Sequence, residues 1–327
     1  MNAAPSGAGR RRDHAGAILP VLAVLGAMAS IQFGAATAQR LFPIVGAQGA
    51  TALRVSLAAV LLLLIRRPSL KGLTPARLRA IALYGAALGC MNLLFYLSLR
   101  TLPLGVAVAI EFIGPLGVVA ASHRTKLDIL WLALAAAGLL ALTPVAGGAA
   151  LDPMGLIYIL GAALFWALYI LAGPKAGEAG PGAATALGMV VAACVVVPFG
   201  VAQAGLGLLA PALLPLALTV AVFSSALPYS LEMFALTRLP KATFGTLMSL
   251  EPAMAALFGA LLLGQHLTLR QDSAIACIIL ASAGATITLV STRKASRGHG
   301  GATPKQEEGA GGDQGEADRL TAGDLLP

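Results

Sequence analysis

The chain has 327 residues, of which 58% are hydrophobic and 11% are charged, and its mean hydropathy is +0.85. Soluble domains carry about a quarter charged residues, so this composition excludes an ordinary soluble globular protein. The net charge of +8 does not indicate nucleic-acid binding, because the Lys and Arg residues lie between apolar runs and form no basic patch with interleaved aromatic residues.

Apolar segments long enough to cross a bilayer as helices follow one another along most of the chain. They are uniformly apolar and do not show the alternation of membrane β-strands. The sequence therefore predicts an all-α polytopic membrane protein with ten transmembrane helices. Their predicted limits are 18–38, 46–65, 80–99, 105–122, 127–145, 154–173, 183–203, 211–236, 242–263 and 272–292.

The distribution of Lys and Arg predicts the orientation, because cytoplasmic segments carry the excess of these residues. With a cytoplasmic N-terminal tail at 1–17, and with Lys305 and Arg319 of the distal tail set aside, sixteen of them fall in inside segments and only Arg40, Arg100 and Arg270 fall outside. Both termini are therefore predicted to be cytoplasmic. Residues 293–327 are rich in Gly, Glu and Asp and are predicted to form a disordered cytoplasmic tail.

Small residues recur at four-residue spacing in two of the predicted helices. Gly26, Ser30 and Gly34 form one such stripe, and Gly85 and Gly89 form another. Small side chains let helices approach closely in lipid, where hydrophobic burial does not drive association. We expect these stripes to be helix-packing surfaces in a compact bundle.

An internal repeat relates the two halves of the chain. Residues 99–115, LRTLPLGVAVAIEFIGP, share Leu, Leu, Pro and Pro with residues 236–252, LTRLPKATFGTLMSLEP, at a constant offset of 137. Five helices per half is an odd number, so the halves 18–145 and 153–292 would insert in opposite senses. Inverted repeats with a site near the bilayer midplane are typical of secondary transporters.

Four ionisable residues lie well inside the predicted helices: Arg54, Glu111, Glu232 and Glu251. A charge at mid-bilayer costs about 2.5–3.5 kcal/mol even on the insertion scale, so such residues face the interior or pair with something. At a rise of about 1.5 Å per residue, Glu251 and Arg54 lie roughly 14 Å and 12 Å from the ends of their helices, near the midplane. Glu111 lies nearer the outside and Glu232 nearer the inside.

These four residues are the candidate site for substrate or proton binding. A carboxyl group in a low-dielectric environment binds and releases protons nearer neutral pH, as a proton-coupled carrier requires. Arg54 together with Glu251 or Glu111 would also suit the carboxylate and ammonium of an amino acid. The alternative is a structural Arg–Glu ion pair that only fixes helix packing.

Helix-breaking and uncharged polar residues accompany the candidate charges. Pro115 and Pro252 remove backbone hydrogen bonds, which indicates irregular backbone beside a cavity or a simple packing kink. Tyr229, one turn before Glu232, and Asn92, its repeat-equivalent position, are further candidates for lining that cavity. The aromatic residues Trp131, Trp166, Tyr84, Tyr96, Tyr158 and Tyr169 are interpreted as interface or packing residues.

No nucleotide-binding loop, catalytic triad or metal-ligand spacing occurs in the sequence, so no cofactor, metal or catalytic residue is predicted. A non-transporting integral membrane enzyme would want clustered His, Asp or Cys at a membrane face. A scaffold would not need three carboxylates inside the membrane. A transporter is the better interpretation, and these remain the alternatives.

The segments NLLFYLSLRTLPLGVAVAIEFIGPL at 92–116 and PYSLEMFALTRLPKATFGTLMSLEPAMAAL at 228–257 resemble the threonine/homoserine exporter branch of the EamA transporters, in the drug/metabolite transporter superfamily. The resemblance covers roughly residues 18–292. It implies ten helices in two inverted five-helix EamA repeats, a bacterial inner membrane, and proton-driven export of small amino acids. It also implies acidic residues at Glu111, Glu232 and Glu251.

The expected partners are accordingly a small amino-acid substrate, protons and membrane lipid, with a second copy of the chain left open and nucleic acid excluded. The substrate class also stays open at this point. Threonine, homoserine or a related neutral amino acid is the first interpretation, and another metabolite or a drug is the alternative.

Overall fold

The structure is a computed structural model that describes residues 8–70, 73–122, 126–142, 151–236, 238–239, 244 and 247–299. Within these ranges the chain forms helices and no strands. The predicted all-α architecture of a polytopic membrane protein is confirmed. The predicted tail beyond residue 299 lies outside the described residues.

The first half of the chain contains six α-helices. They are α1 (Ala8–Ala38), α2 (Phe42–Arg66), α3 (Pro75–Ser98), α4 (Leu104–Glu111), α5 (Ile113–Ser122) and α6 (Lys126–Leu142). A 3₁₀ turn at Gln39–Leu41 separates α1 from α2. At the start of α3 the Thr74 side chain accepts a hydrogen bond from the Arg77 backbone N–H, and Pro75 occupies the first turn.

The second half contains α7 (Pro153–Gly177), α8 (Pro181–Ala204), α9 (Leu214–Ala221), α10 (Leu227–Leu236), α11 (Glu251–Leu263) and α12 (Leu269–His299). A π-helical segment at Val222–Ala226 joins α9 to α10. Asp152 caps α7 by accepting a hydrogen bond from the Gly155 backbone N–H at 2.9 Å. This bond holds the pKa of the exposed Asp152 carboxyl below its ordinary value.

Four described helical stretches are long and apolar enough to cross a membrane: Ile18–Arg66, Pro75–Ser98, Pro153–Gly177 and Gly182–Leu209. The first stretch contains two of the predicted helices, 18–38 and 46–65. Between them the chain leaves α-helical geometry at Gln39–Leu41 and again at Gly46, whose φ is 70°. Further apolar helices of 10–17 residues are Leu104–Val118, Ile129–Ala141, Pro211–Ser225 and Glu251–Leu263.

Helix boundaries in the two halves correspond at the same offset as the sequence repeat. Adding 137 to the limits of α2 gives 179–203, against 181–204 for α8, and α3 gives 212–235, against 214–236 for α9 through α10. Helix packing also corresponds between the two halves. α3 of the first half packs on α7 of the second, and α10 of the second half packs on α1 of the first. α2 packs on α8, and α4 packs on α11. Both correspondences support an inverted repeat.

The small-residue stripes lie at helix contacts, as predicted. Gly85 and Gly89 of α3 face α8, where a Cβ on Gly85 would collide with the Gly188 carbonyl oxygen. Gly34 of α1 has no room for a Cβ beside Ser224, and the Ser30 hydroxyl donates to the Phe223 carbonyl at 2.5 Å. Close backbone approach at these points replaces the hydrophobic driving force that lipid does not supply.

Residues 292–327 form a unit separate from Met1–Ser291, and of this unit the structure describes only the backbone of residues 292–299. Helices α1 to α11, α12 as far as residue 291, and the candidate site belong to the first unit.

Replacing Gly85 with Val is expected to destabilise the bundle by about 1–3 kcal/mol or more, because overpacking forces α3 away from α8. Gly117→Val is the matched control, since nothing lies within 4 Å of a Cβ at Gly117. Thermal unfolding of the purified variants in detergent measures both. Equal stability of Gly85→Val and wild type would show that α3 and α8 do not need this close approach.

Candidate functional site

Helices from both halves enclose one cavity, called here the central cavity, with about 230 Å³ accessible to water. It gathers residues from α1, α2, α3, α4, α7, α10 and α11 and from the π-helical segment. The lining residues are Ile31, Gln32, Ala35, Arg54, Leu88, Met91, Asn92, Phe95, Val108, Glu111, Trp166, Tyr169, Ser224, Glu232, Met248 and Glu251. All four ionisable residues singled out from the sequence therefore meet in one place.

Arg54 is held in the cavity wall by neutral groups. Its Nη1 donates to Asn92 Oδ1 at 2.7 Å, and its Nε donates to Ser224 Oγ at 3.0 Å. The guanidinium carbon lies 5.2 Å from the centre of the Tyr96 ring. Among the described side chains, Arg54 makes no hydrogen bond to a carboxylate, so the direct Arg–Glu ion pair considered from the sequence is not observed there.

The partners of Arg54 are themselves fixed by the backbone. Asn92 Nδ2 donates to the Leu88 carbonyl at 2.8 Å, and the Ser224 hydroxyl donates to the Val220 carbonyl. Asn92 and Ser224 are both buried. The guanidinium is thus oriented in advance, at little further entropic cost when an anion binds.

Glu251 is the first residue of α11 and is 7% exposed. One of its oxygens accepts a hydrogen bond from Gln32 Nε2 of α1 at 3.3 Å. Its position in the first helical turn places the carboxylate at the positive end of the helix dipole. Pro252 follows at a position where a helix needs no N–H donor. The predicted irregular backbone at this Glu-Pro pair is therefore a helix start.

Glu111 is the last residue of α4 and is 8% exposed. Phe112 forms a turn before α5 begins, and Pro115 of α5 has no N–H to donate to the Glu111 carbonyl four residues earlier. Pro252 stands in the same relation to Met248, which is the repeat equivalent of Glu111. Both helical interruptions thus lie at the cavity.

Glu232 of α10 is half-buried and lines the cavity beyond the π-helical segment. That segment carries Ser224, and π-helical turns within helices are frequently found at functional sites. Tyr229 lies on the described backbone of α10, but its side chain is outside the described residues.

Eleven of the sixteen cavity residues were not predicted as site residues, and four of these have side chains that can donate a hydrogen bond: Gln32, Ser224, Trp166 and Tyr169. Trp166 and Tyr169, interpreted from the sequence as interface or packing residues, also line the cavity. Tyr96 does pack, beneath Arg54, and Trp131 packs by donating to Thr288 Oγ1 at 2.9 Å. An uncharged polar residue inside a predicted helix was the available signal for Gln32 and Ser224.

The central cavity combines one fixed guanidinium and three carboxylates with aromatic and aliphatic walls. This arrangement can bind a small zwitterion or exchange protons with water. Among the described residues no group of three His, Cys, Asp or Glu side chains could hold a metal ion.

Comparison with known proteins identifies the family. Residues 153–287 match the EamA-like transporter family. The threonine/homoserine exporter RhtA of Salmonella typhimurium strain LT2 is 50% identical over 273 residues, which cover 83% of this chain and 92% of that protein. The chain belongs to the EamA-like transporter family.

A second relative agrees with membership of the EamA-like family, and a solved structure agrees with the fold. The threonine/homoserine exporter RhtA of Escherichia coli strain K12 is 49% identical over the same shares of the two chains. A solved protein crystal structure superposes with a TM-score of 0.52 at 14% identity, covering 85% of this chain and 99% of that one, and this likeness shows the fold alone. The RhtA-type resemblance seen in the sequence is confirmed, and transport replaces the enzyme and scaffold alternatives.

Arg54→Lys is expected to destabilise this EamA-like protein by about 1–3 kcal/mol, because a lysine ammonium cannot reach Asn92 and Ser224 together and leaves a buried acceptor unpaired. Arg40→Lys, at an exposed position in the 3₁₀ turn, is the control and should change little. Thermal unfolding in detergent tests both variants. Wild-type stability of Arg54→Lys would show that the fork geometry is not what holds Arg54.

Proposed function

We propose that this chain is a secondary transporter of the bacterial inner membrane that exports threonine, homoserine or a related small neutral amino acid in exchange for protons. Both termini would lie in the cytoplasm. The observation that carries the proposal is the central cavity, in which Arg54 is oriented by neutral partners and faces a space shared with three carboxylates. The names of the RhtA relatives support the choice of substrate.

The cavity suits a zwitterion in both charge and position. Arg54 offers guanidinium N–H donors to the substrate carboxylate, and such charge-assisted bonds are among the strongest available. Glu251, Glu111 or Glu232 accepts from the substrate ammonium. The apolar walls, including Phe95 and Trp166, leave room for a short side chain.

Exchange for protons follows from competition for the same carboxylates. An ionised glutamate binds the ammonium group, whereas a protonated one has lost the charge that attracts it. Proton entry from outside therefore releases the amino acid outward, and proton loss to the cytoplasm restores the binding form. Each turnover moves substrate and proton in opposite directions without any covalent step.

Alternating access would use the two halves 18–145 and 153–292 as inverted repeats that rock around the central cavity. The reciprocal packing of α1, α3, α7 and α10 supports this division. The interruptions at Glu111 and Glu251 lie at the cavity, where backbone that is not helical is tolerated in a membrane.

A second candidate is export of another metabolite or a drug by the same fold. A neutral drug would leave Arg54 and the carboxylates without ionic partners in the cavity, so the charge pattern favours an amino acid. Resistance of expressing cells to toxic threonine or homoserine concentrations distinguishes the two candidates. Lipid surrounds the exposed Leu-rich surface, and a second copy of the chain remains a candidate partner.

Glu251→Gln and Glu111→Gln are each expected to abolish flux driven by a pH gradient, because an amide cannot bind and release a proton. Purified protein in liposomes with an imposed pH gradient and labelled threonine or homoserine measures this flux. Threonine–threonine exchange at equal pH should also weaken, because the amide lacks the negative charge that binds the substrate ammonium.

Glu178→Gln is the matched control, because Glu178 is exposed at the end of α7 and away from the cavity. Wild-type gradient dependence in both cavity variants would move the coupling to Glu232. Absence of gradient-driven flux of any amino acid by the wild-type protein would reject the proposed function.

A further inference from the structure

A second cavity, called here the inner cavity, lies between α3, α7 and α8 and has a volume of about 330 Å³. Its lining residues are Tyr84, Tyr169, Ile170, Gly173, Gly177, Ala184 and Thr185. Tyr169 lines both this cavity and the central cavity. The Tyr169 side chain therefore stands between the two spaces.

The order of residues along α7 describes a route. Trp166 lines the central cavity, Tyr169 lines both cavities, and Gly173 and Gly177 line only the inner cavity. These residues are three or four apart and so share one face of the helix. Moving along this face leads from the central cavity, past one aromatic side chain, to the end of α7.

Tyr169 contacts Tyr84 through one hydrogen bond and one ring contact. Their hydroxyl oxygens lie 3.0 Å apart in a hydrogen bond, and their rings stack with centroids 4.6 Å apart. One neutral hydrogen bond and one ring contact contribute little net free energy each. A pair held in this way can separate and close again within a transport cycle.

One member of the pair is fixed and the other has space. The Tyr84 ring fills the place of a side chain on α8, since a Cβ on Gly188 would lie 2.6 Å from it. On α7 nothing lies within 4 Å of where a Cβ of Gly173 or Gly177 would be. These two glycines keep the space beside Tyr169 open.

The inner cavity lies at the end of the bundle that the charge distribution assigns to the cytoplasm. Lys175 and Glu178 are exposed in the last turn of α7 and at its end. Across from them, a Cβ on Gly182 would lie 3.5 Å from Cδ of Arg66. A polar molecule arriving from the cytoplasm meets charged side chains here and not lipid-facing leucines.

We infer that the inner cavity is the cytoplasmic entry site for the zwitterionic substrate, and that Tyr169, held by Tyr84, is the barrier between it and the central cavity. The inference rests on the proposed function and on the orientation with cytoplasmic termini. The tyrosine pair would then have a role in transport. The alternative is that the pair only packs α3 against α7.

The test is the accessibility of the central cavity from the cytoplasmic face. The reporter is Met91→Cys, which lines the central cavity, in a chain carrying Cys90→Ala, Cys194→Ala and Cys277→Ala. A membrane-impermeant thiol reagent is applied to inside-out vesicles. Tyr169→Phe should raise the labelling rate about fivefold, as expected from the loss of one neutral hydrogen bond, and Tyr169→Ala should raise it further.

A double-mutant cycle separates a barrier from general loosening. Tyr84→Phe and Tyr169→Phe both remove the hydrogen bond between the two hydroxyls, so the effect of the double variant should be smaller than the two single effects combined. Tyr158→Phe, on the same helix but outside both cavities, should leave the rate unchanged. If Tyr169→Ala does not fold, the phenylalanine variants carry the test alone.

Unchanged labelling in the Tyr169 variants would overturn the barrier, as would equal acceleration by Tyr158→Phe or simple addition of the two single effects. Labelling needs no substrate, so its outcome is independent of the flux assay. Wild-type flux with unchanged labelling rejects only the barrier. The expected labelling changes in a protein that moves no amino acid reject only the proposed function.

Discussion

The cost of placing charge inside a bilayer is the constraint on which the rest of this structure depends. One guanidinium and three carboxylates lie within the predicted membrane helices, and each would be strongly unfavourable against lipid. The fold meets this cost by directing Arg54, Glu111, Glu232 and Glu251 to one cavity in the interior. Around Arg54 the described structure adds neutral acceptors, each anchored to its own helix backbone.

Three interruptions of regular α-helix lie at the same cavity. α4 ends at Glu111, α11 begins at Glu251, and a π-helical segment carries Ser224. Hydrocarbon cannot hydrogen-bond the backbone groups that such interruptions free, so they are tolerated only where protein or water surrounds them. By contrast, α3 and α8 each continue as an α-helix of 24 residues.

Much of the fold and the charged part of the site could be predicted from the sequence. Apolar run length indicates membrane helices, and a charge within such a run is conspicuous because it is costly, which is why Glu251 and Arg54 were found. Gln32, Ser224 and Trp166 carry no comparable cost, and which way they face depends on packing between helices far apart in the chain. The π-helical segment was missed because its residues, VFSSA, differ little from an ordinary helix. Pro252 was expected in the middle of a helix. The structure places it at the start of α11, where a helix does not need its missing N–H.

The repeat explains why the two sides of the cavity differ. Positions related by the offset of 137 both line it in three pairs: Gln32 with Tyr169, Phe95 with Glu232, and Glu111 with Met248. The backbone is therefore nearly symmetric while the side chains are not.

Tyr169 contacts Tyr84, whose equivalent is Ala221, whereas Gln32 contacts the carboxylate of Glu251. The proposed barrier is thus a neutral aromatic pair, whereas the repeat-related contact includes a carboxyl group that can gain or lose a proton. Under the proposed exchange, protonation acts directly on only one of the two contacts.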